Sequence, residues 1–143
     1  MKLLRSITAS LSIFLGTISI QPSNAIAASW ERIHSSENTV VSIDPSSITQ
    51  TGEYKTAWFL YEYSTDRLTR TGLRYRSAIF LNYFDCSTRT VAVKQYTFFS
   101  KPSKEGEPVQ SYSYSIRPES FTEISPDSNA EASLKNVCST ELR

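Results

Sequence analysis

Histidine is almost missing from this chain. Among its 143 residues there is one, His34, with two cysteines and four glycines. Each scarcity removes a class of chemistry. A zinc or other transition-metal site needs several His, Cys or carboxylate ligands, and the cysteines form no C-x-x-C pair. A general-base histidine needs a nucleophile and an orienting acid, and no sequence context supplies either; His34 follows an apolar strand and reads as a solvated loop residue. The glycines, at 16, 52, 72 and 106, are too scattered to cradle a phosphate. No serine sits in a G-x-S-x-G context. The formal net charge of +1 gives no bulk attraction to nucleic acid or to a membrane surface. A non-enzymatic protein without a cofactor or a bound metal is the expectation.

Long apolar runs are absent beyond the first twenty residues. Lys2 and Arg5 open the chain with positive charge, and a mostly apolar stretch from Ile7 to Ile20 follows. The polar Gln21–Asn24 and then Ala25-Ile26-Ala27 complete a secretory signal peptide. The apolar stretch falls short of the ~20 residues that a comfortable membrane span requires. Residues 1–27 are therefore predicted to be removed by cleavage between Ala27 and Ala28, and residues 28–143 to form a single domain in the periplasm, at the cell surface or secreted. No cysteine lies near the cleavage site, so neither a lipid anchor there nor a membrane span is expected. The signal takes two of the fifteen basic residues and none of the fourteen acidic ones, which leaves the mature chain with 13 against 14, a net charge of about −1. Nucleic acid is not an expected partner.

The mature chain is tyrosine-rich, and its apolar residues alternate, the period of a strand. Strands are predicted at Trp30–Ile33, Thr39–Ile43, Tyr54–Tyr63, Tyr75–Asp85, Val91–Phe99, Ser111–Ile116 and Phe121–Ile124. Asp44-Pro45-Ser46-Ser47 stops the second. The aspartate accepts from backbone N–H groups just ahead of it, and the proline presets φ for a turn. In the third, Trp58 and Leu60 share one face, and Phe59, Tyr61 and Tyr63 the other. Cys86–Arg89 suits a hairpin connection. Lys101–Pro108, with two prolines and a glycine, reads as a loop.

One segment has a helical period. Ser128-Asn129-Ala130-Glu131 matches the capping box S-x-x-E, and Pro126 and Asp127 favour a helix entry. Ala130, Leu134, Val137 and Cys138 then fall on a single face. Cys138 is thus aimed at whatever the helix packs on. On the strand before Cys86, Phe80 and Phe84 share its parity, so the helix is expected to dock on their side. Two thiols in an exported domain usually form one disulfide. Here it would tether the last element to the middle of the fold and stabilise by roughly 4 kcal/mol in the chain-entropy model. A helix of about eleven residues is marginal alone, so the tether matters more than usual.

Two surface features stand out. Arg67, Arg70, Arg74, Arg76 and Arg89 fall within 23 residues, with Asp66 and Asp85 the acids in or beside that stretch. Such a loop could engage sulfated glycans, anionic headgroups or an acidic partner; alternatively it is a solvated hairpin whose arginines keep a sheet edge soluble. The second feature is aromatic. A sheet of about six strands is ~29 Å across, while one helix is only ~10–12 Å wide. Both faces of the long strands carry large side chains, so either the sheet curls or a partner covers the remainder, which makes an aromatic protein-binding or self-associating face the expectation.

The order of short motifs adds a resemblance. Trp30, Val41-Ser42-Ile43-Asp44-Pro45-Ser46-Ser47-Ile48, Ala57-Trp58, Tyr75-Arg76-Ser77, Tyr83-Phe84-Asp85-Cys86 with Arg89, Ile124-Ser125-Pro126-Asp127-Ser128 and the late Cys138 together resemble the bacterial surface-adhesin E family. The likeness spans the mature chain. It implies an α+β, mostly β architecture: an antiparallel sheet of about six strands, with one C-terminal helix held on its concave face by a Cys86–Cys138 disulfide. It also implies a binding module whose partner is an extracellular or envelope protein, and a homodimer. The best-known member binds vitronectin, laminin and plasminogen as a lipoprotein, whereas lipid attachment is not expected here. The alternative is a structural or accessory envelope protein that acts through self-association.

Overall fold

A computed structural model describes residues 28–142. The predicted signal peptide lies outside the described residues, and Ala28, on the far side of the predicted cleavage site, is exposed. The chain forms one antiparallel sheet in which β1 (Glu31–Ser35), β2 (Thr39–Ile43), β4 (Tyr54–Leu68), β5 (Arg74–Asp85), β6 (Thr90–Phe99) and β7 (Pro108–Ser113) lie in that order. Two short strands pair at its margins, β3 (Thr49–Thr51) on β4 and β8 (Thr122–Glu123) on β6. A single α-helix, α1 (Asn129–Ser139), closes the described chain and packs on one face.

Turn chemistry sets the strand ends. Asp44 Oδ1 accepts from the Ser46 backbone N–H at 3.0 Å and from its hydroxyl at 2.6 Å, and a single 3-10 turn follows. Ser47 Oγ accepts from the Trp58 N–H at 2.8 Å, which locks this corner onto β4. Asp85 plays the same part between β5 and β6. Its Oδ1 takes hydrogen bonds from the Ser87 N–H and hydroxyl and from the Thr88 N–H. Those bonds, the Ser87 hydroxyl foremost, hold its carboxyl down at about 2. Arg89 completes the turn in the left-handed region, at φ 56°.

Several boundaries differ from the sequence reading. β1 starts one residue later than Trp30 and runs through His34, which pairs with Val41. His34 is thus a half-buried strand residue and not a solvated loop histidine. β3 consists of Thr, Gln and Thr, all exposed, and carries no apolar alternation to betray it. β4 continues five residues past Tyr63 through exposed positions, all polar but Leu68, with an irregular register between Glu62 and Arg67. β7 begins at Pro108, at the sheet edge, where a missing N–H costs no ladder bond.

The core lies between α1 and the sheet. Val41, Ile43, Ala57, Phe59 and Phe84 pack against Leu134 and Val137, all nearly or fully inaccessible. The Ser128 hydroxyl accepts from the Glu131 N–H, while the Glu131 carboxylate reaches past Ser128 to the Asp127 N–H at 2.9 Å. The Cys86–Cys138 disulfide is formed, with Cα atoms 5.7 Å apart. Phe84, Cys86 and the buried stripe of α1 meet on one face, as strand parity requires.

Lys55 caps the other end of the helix. Its ammonium donates to the carbonyls of Val137, Cys138 and Thr140 at 3.4, 3.3 and 2.6 Å. These carbonyls lie at the negative end of the helix dipole, and that of Val137 also accepts from the Thr140 N–H. Lys55→Met keeps the aliphatic stem and removes the charge. We expect it to cost about 1–2 kcal/mol, read as a lower urea midpoint with an unchanged m-value.

Candidate binding face

The helix covers only part of its side of the sheet. Register places Phe59, Phe80, Tyr96 and Tyr112 opposite one another in successive strands, hence on one face. Phe59 is buried beneath the helix; the others are half-buried beyond it. From Phe80 the aromatic contacts spread in both directions. Tyr61 meets Phe80 edge-on at 5.0 Å, Tyr75 stacks on Phe98 at 4.2 Å, and Tyr63 meets Tyr75 edge-on at 5.6 Å. Tyr96 contacts Phe98, Tyr112 and Tyr114, with centroids 5.0, 4.9 and 6.1 Å away. Eight rings therefore form one continuous surface over β4 to β7 and the residue just beyond.

A cleft of about 320 Å³ opens in this surface. Its walls include Tyr75, Tyr96, Phe98 and Tyr112, with Arg70 and Gln110 supplying polarity. Gln110 Oε1 is buried and has no hydrogen-bond partner among the described residues. Burial, together with a hydroxyl contact of 3.2 Å to Tyr114, pushes the Tyr96 phenol up to about 12. Burial also raises the Tyr63 phenol well above its usual range. A larger hollow, about 580 Å³, adjoins at Tyr114, but its Arg117 and Glu119 face each other at 3.9 Å and spend their charge internally.

The five sequence-predicted arginines do not form one loop patch. Arg67, on β4, sits over the Tyr63 ring at 5.2 Å. Arg70, in the β4–β5 connection, lines the aromatic cleft. Arg74, on β5, pairs with Asp66 at 3.2 Å. Arg76, also on β5, donates to the Tyr63 and Ser64 carbonyls at 3.1 and 3.0 Å and so fastens the β4 extension. Arg89 lies in the β5–β6 turn and pairs with Glu131 of the helix at 3.1 Å. Arg67 and Arg70 are the two that meet the aromatic surface. Arg67, Arg70, Arg74 and Arg76 stay at the β4–β5 end, with Asp66 bound to Arg74 and Arg76, and the length of β5 carries Arg89 to the other end.

The opposite face is partly closed. The segment after β6 folds back so that the Ser77 hydroxyl donates to Lys101 O at 2.6 Å and accepts from the Lys104 N–H at 3.0 Å. Glu62 accepts from the Ser103 N–H and hydroxyl. Trp58, Ile79 and Leu81 remain half-buried there. Among the described residues no helix is long and apolar enough to cross a membrane.

Residues 30–139 match the family model of surface-adhesin protein E. The chain belongs to that family. Structures of Haemophilus influenzae protein E share the adhesin E fold with it. One aligns at a TM-score of 0.55 and 12% identity, covering 83% of this chain and 90% of that one. A second crystal form aligns at 0.56 and 12%, covering 85% and 95%, and a selenomethionine form at 0.52 and 15%, covering 83% and 92%. No curated protein sequence matches. The adhesin E family is one of surface proteins, and the disulfide fits an oxidising, extracytoplasmic compartment.

Proposed function

We propose that this is an exported, non-enzymatic binding module that recognises an extracellular or envelope component through the open part of its helix face. The observation that carries this reading is the aromatic surface that runs beyond α1, from Tyr61 against the helix-covered core out to Tyr114, with Arg67 and Arg70 at its margin. Tyrosine and arginine are the residues that interfaces enrich, because each joins large contact area to a directed polar group. Residues 1–27 act as the export signal in this reading, with cleavage before Ala28.

The test is capture from envelope extract with the purified, oxidised protein. A partner held by the wild type and lost by Arg67→Ala/Arg70→Ala supports the reading. Equal capture by both places recognition elsewhere on the surface. A second copy of the chain is the competing occupant, and light scattering on the same preparation detects it. A dimer broken by Tyr112→Ala, with no other partner captured, supports self-association as the role.

A further inference from the structure

We propose that the cleft beside Arg70 binds an acidic glycan: a saccharide whose carboxylate pairs with the guanidinium while its ring lies on the tyrosine walls. This rests on the reading of the open helix face as the binding surface and names its ligand chemistry. Three features converge. The first is charge: Arg70 lines the cleft and no acid does. The neighbouring acid, Asp66, is engaged by Arg74 and Arg76 at 3.2 and 3.8 Å. A guanidinium fork is the donor set that matches a planar carboxylate.

The second feature is the buried, unpartnered Oε1 of Gln110. A buried acceptor left unpaired is costly, and because Gln110 lines the cleft, a turn of its amide toward the opening lets a ligand hydroxyl satisfy it. Saccharides carry such donors around the whole ring. The third is the wall itself. It is made of π faces, with Tyr75, Tyr96 and Tyr112 also bearing hydroxyls at their tips. The cleft's size, about 320 Å³, lies at the small-ligand end of the usual range. An acidic peptide is the competing class, and it is less well served. Over β5 and β6 the backbone groups are already used in the ladder, which leaves only the outer edge of β7 to pair with a peptide main chain.

The test uses the purified, oxidised protein in titration calorimetry with a hyaluronan oligosaccharide, whose glucuronates supply the carboxylates. The same oligosaccharide with its carboxyls reduced to alcohols is the neutral control, and an acidic proline-rich peptide is the competing probe. We expect binding of the acidic sugar that falls roughly tenfold or more on carboxyl reduction and by a similar factor in Arg70→Ala, the loss of one charge-assisted contact. Gln110→Leu should weaken it as well. Lys135→Ala, which removes an exposed cation of α1 away from the cleft, should leave it unchanged. Absence of binding at millimolar sugar, equal affinity for the reduced sugar, or an unaffected Arg70→Ala would overturn the proposal. Binding of the peptide alone would overturn it too. If the envelope partner is still lost in Arg67→Ala/Arg70→Ala, the binding face stands and only the glycan is wrong. If capture persists there, the face itself is wrong.

Discussion

Opening the Cys86–Cys138 bond is expected to lower the melting temperature by about 8–16 °C, the equivalent of about 2–4 kcal/mol in a domain of this size. The cysteines are 52 residues apart. In the chain-entropy account, a crosslink over such a loop removes about 4 kcal/mol of freedom from the unfolded chain, and measured values usually fall below that ceiling. The effect should be felt first at α1. An eleven-residue helix does not persist alone in water. Once untethered, it is held by its buried Ser133, Leu134 and Val137, the Lys55 cap and the Arg89–Glu131 pair. The last is a surface ion pair worth at most about 1 kcal/mol. Calorimetry of Cys86→Ala/Cys138→Ala against the oxidised wild type measures the shift without leaving an unpaired thiol. A change under about 3 °C would show that packing alone holds the helix. Thiol titration of the unreduced, unfolded wild type should find no free thiol.

Strand parity is what made this tether readable before any coordinates. β5 keeps a regular alternation from Ala78 through Phe84, so the side of Cys86 follows from the sequence. The helical stripe and capping serine fix the side of Cys138 in the same way. The family resemblance implies the same tether. What escaped has a common physical cause. β3 and the end of β4 are exposed, so no buried face imposes a period on them. Lys55 caps a helix more than eighty residues away, a contact that exists only once the topology brings β4 under the end of α1. The arginine cluster is divided for a different reason. Proximity in sequence is not proximity in a sheet, where the length of β5 sets Arg70 at one end and Arg89 at the other. The aromatic face was legible as a surplus of large side chains over what one helix can cover. Its cleft was not, because that depends on the register of β6 with β7 and on the loop that sets Arg70 beside it.

That surplus divides into core and surface, and the division can be measured. Phe84→Ala is expected to destabilise the protein by about 3–5 kcal/mol. Phe84 is fully buried and meets Phe59 edge-on, with centroids 5.8 Å apart, beneath Leu134 and Val137. Removing the ring forfeits its transfer energy and leaves a void that a sheet pinned by ladder bonds cannot easily close. Phe80 lies four residues earlier on the same strand and face, but beyond the helix and half-buried. Phe80→Ala should therefore cost no more than about half as much, because water can fill the space and less area was hidden at the start. A double-mutant cycle of Phe59→Leu with Phe84→Leu should give a coupling of about 0.5–1.5 kcal/mol from the edge-on pair. Urea unfolding of the oxidised variants reads all of these on one scale. If Phe80→Ala proves as costly as Phe84→Ala, the rings beyond the helix belong to the core, and the open face is not free to hold a ligand. If the two separate as expected, the sheet spends one end of this face on its own stability and keeps the other for recognition.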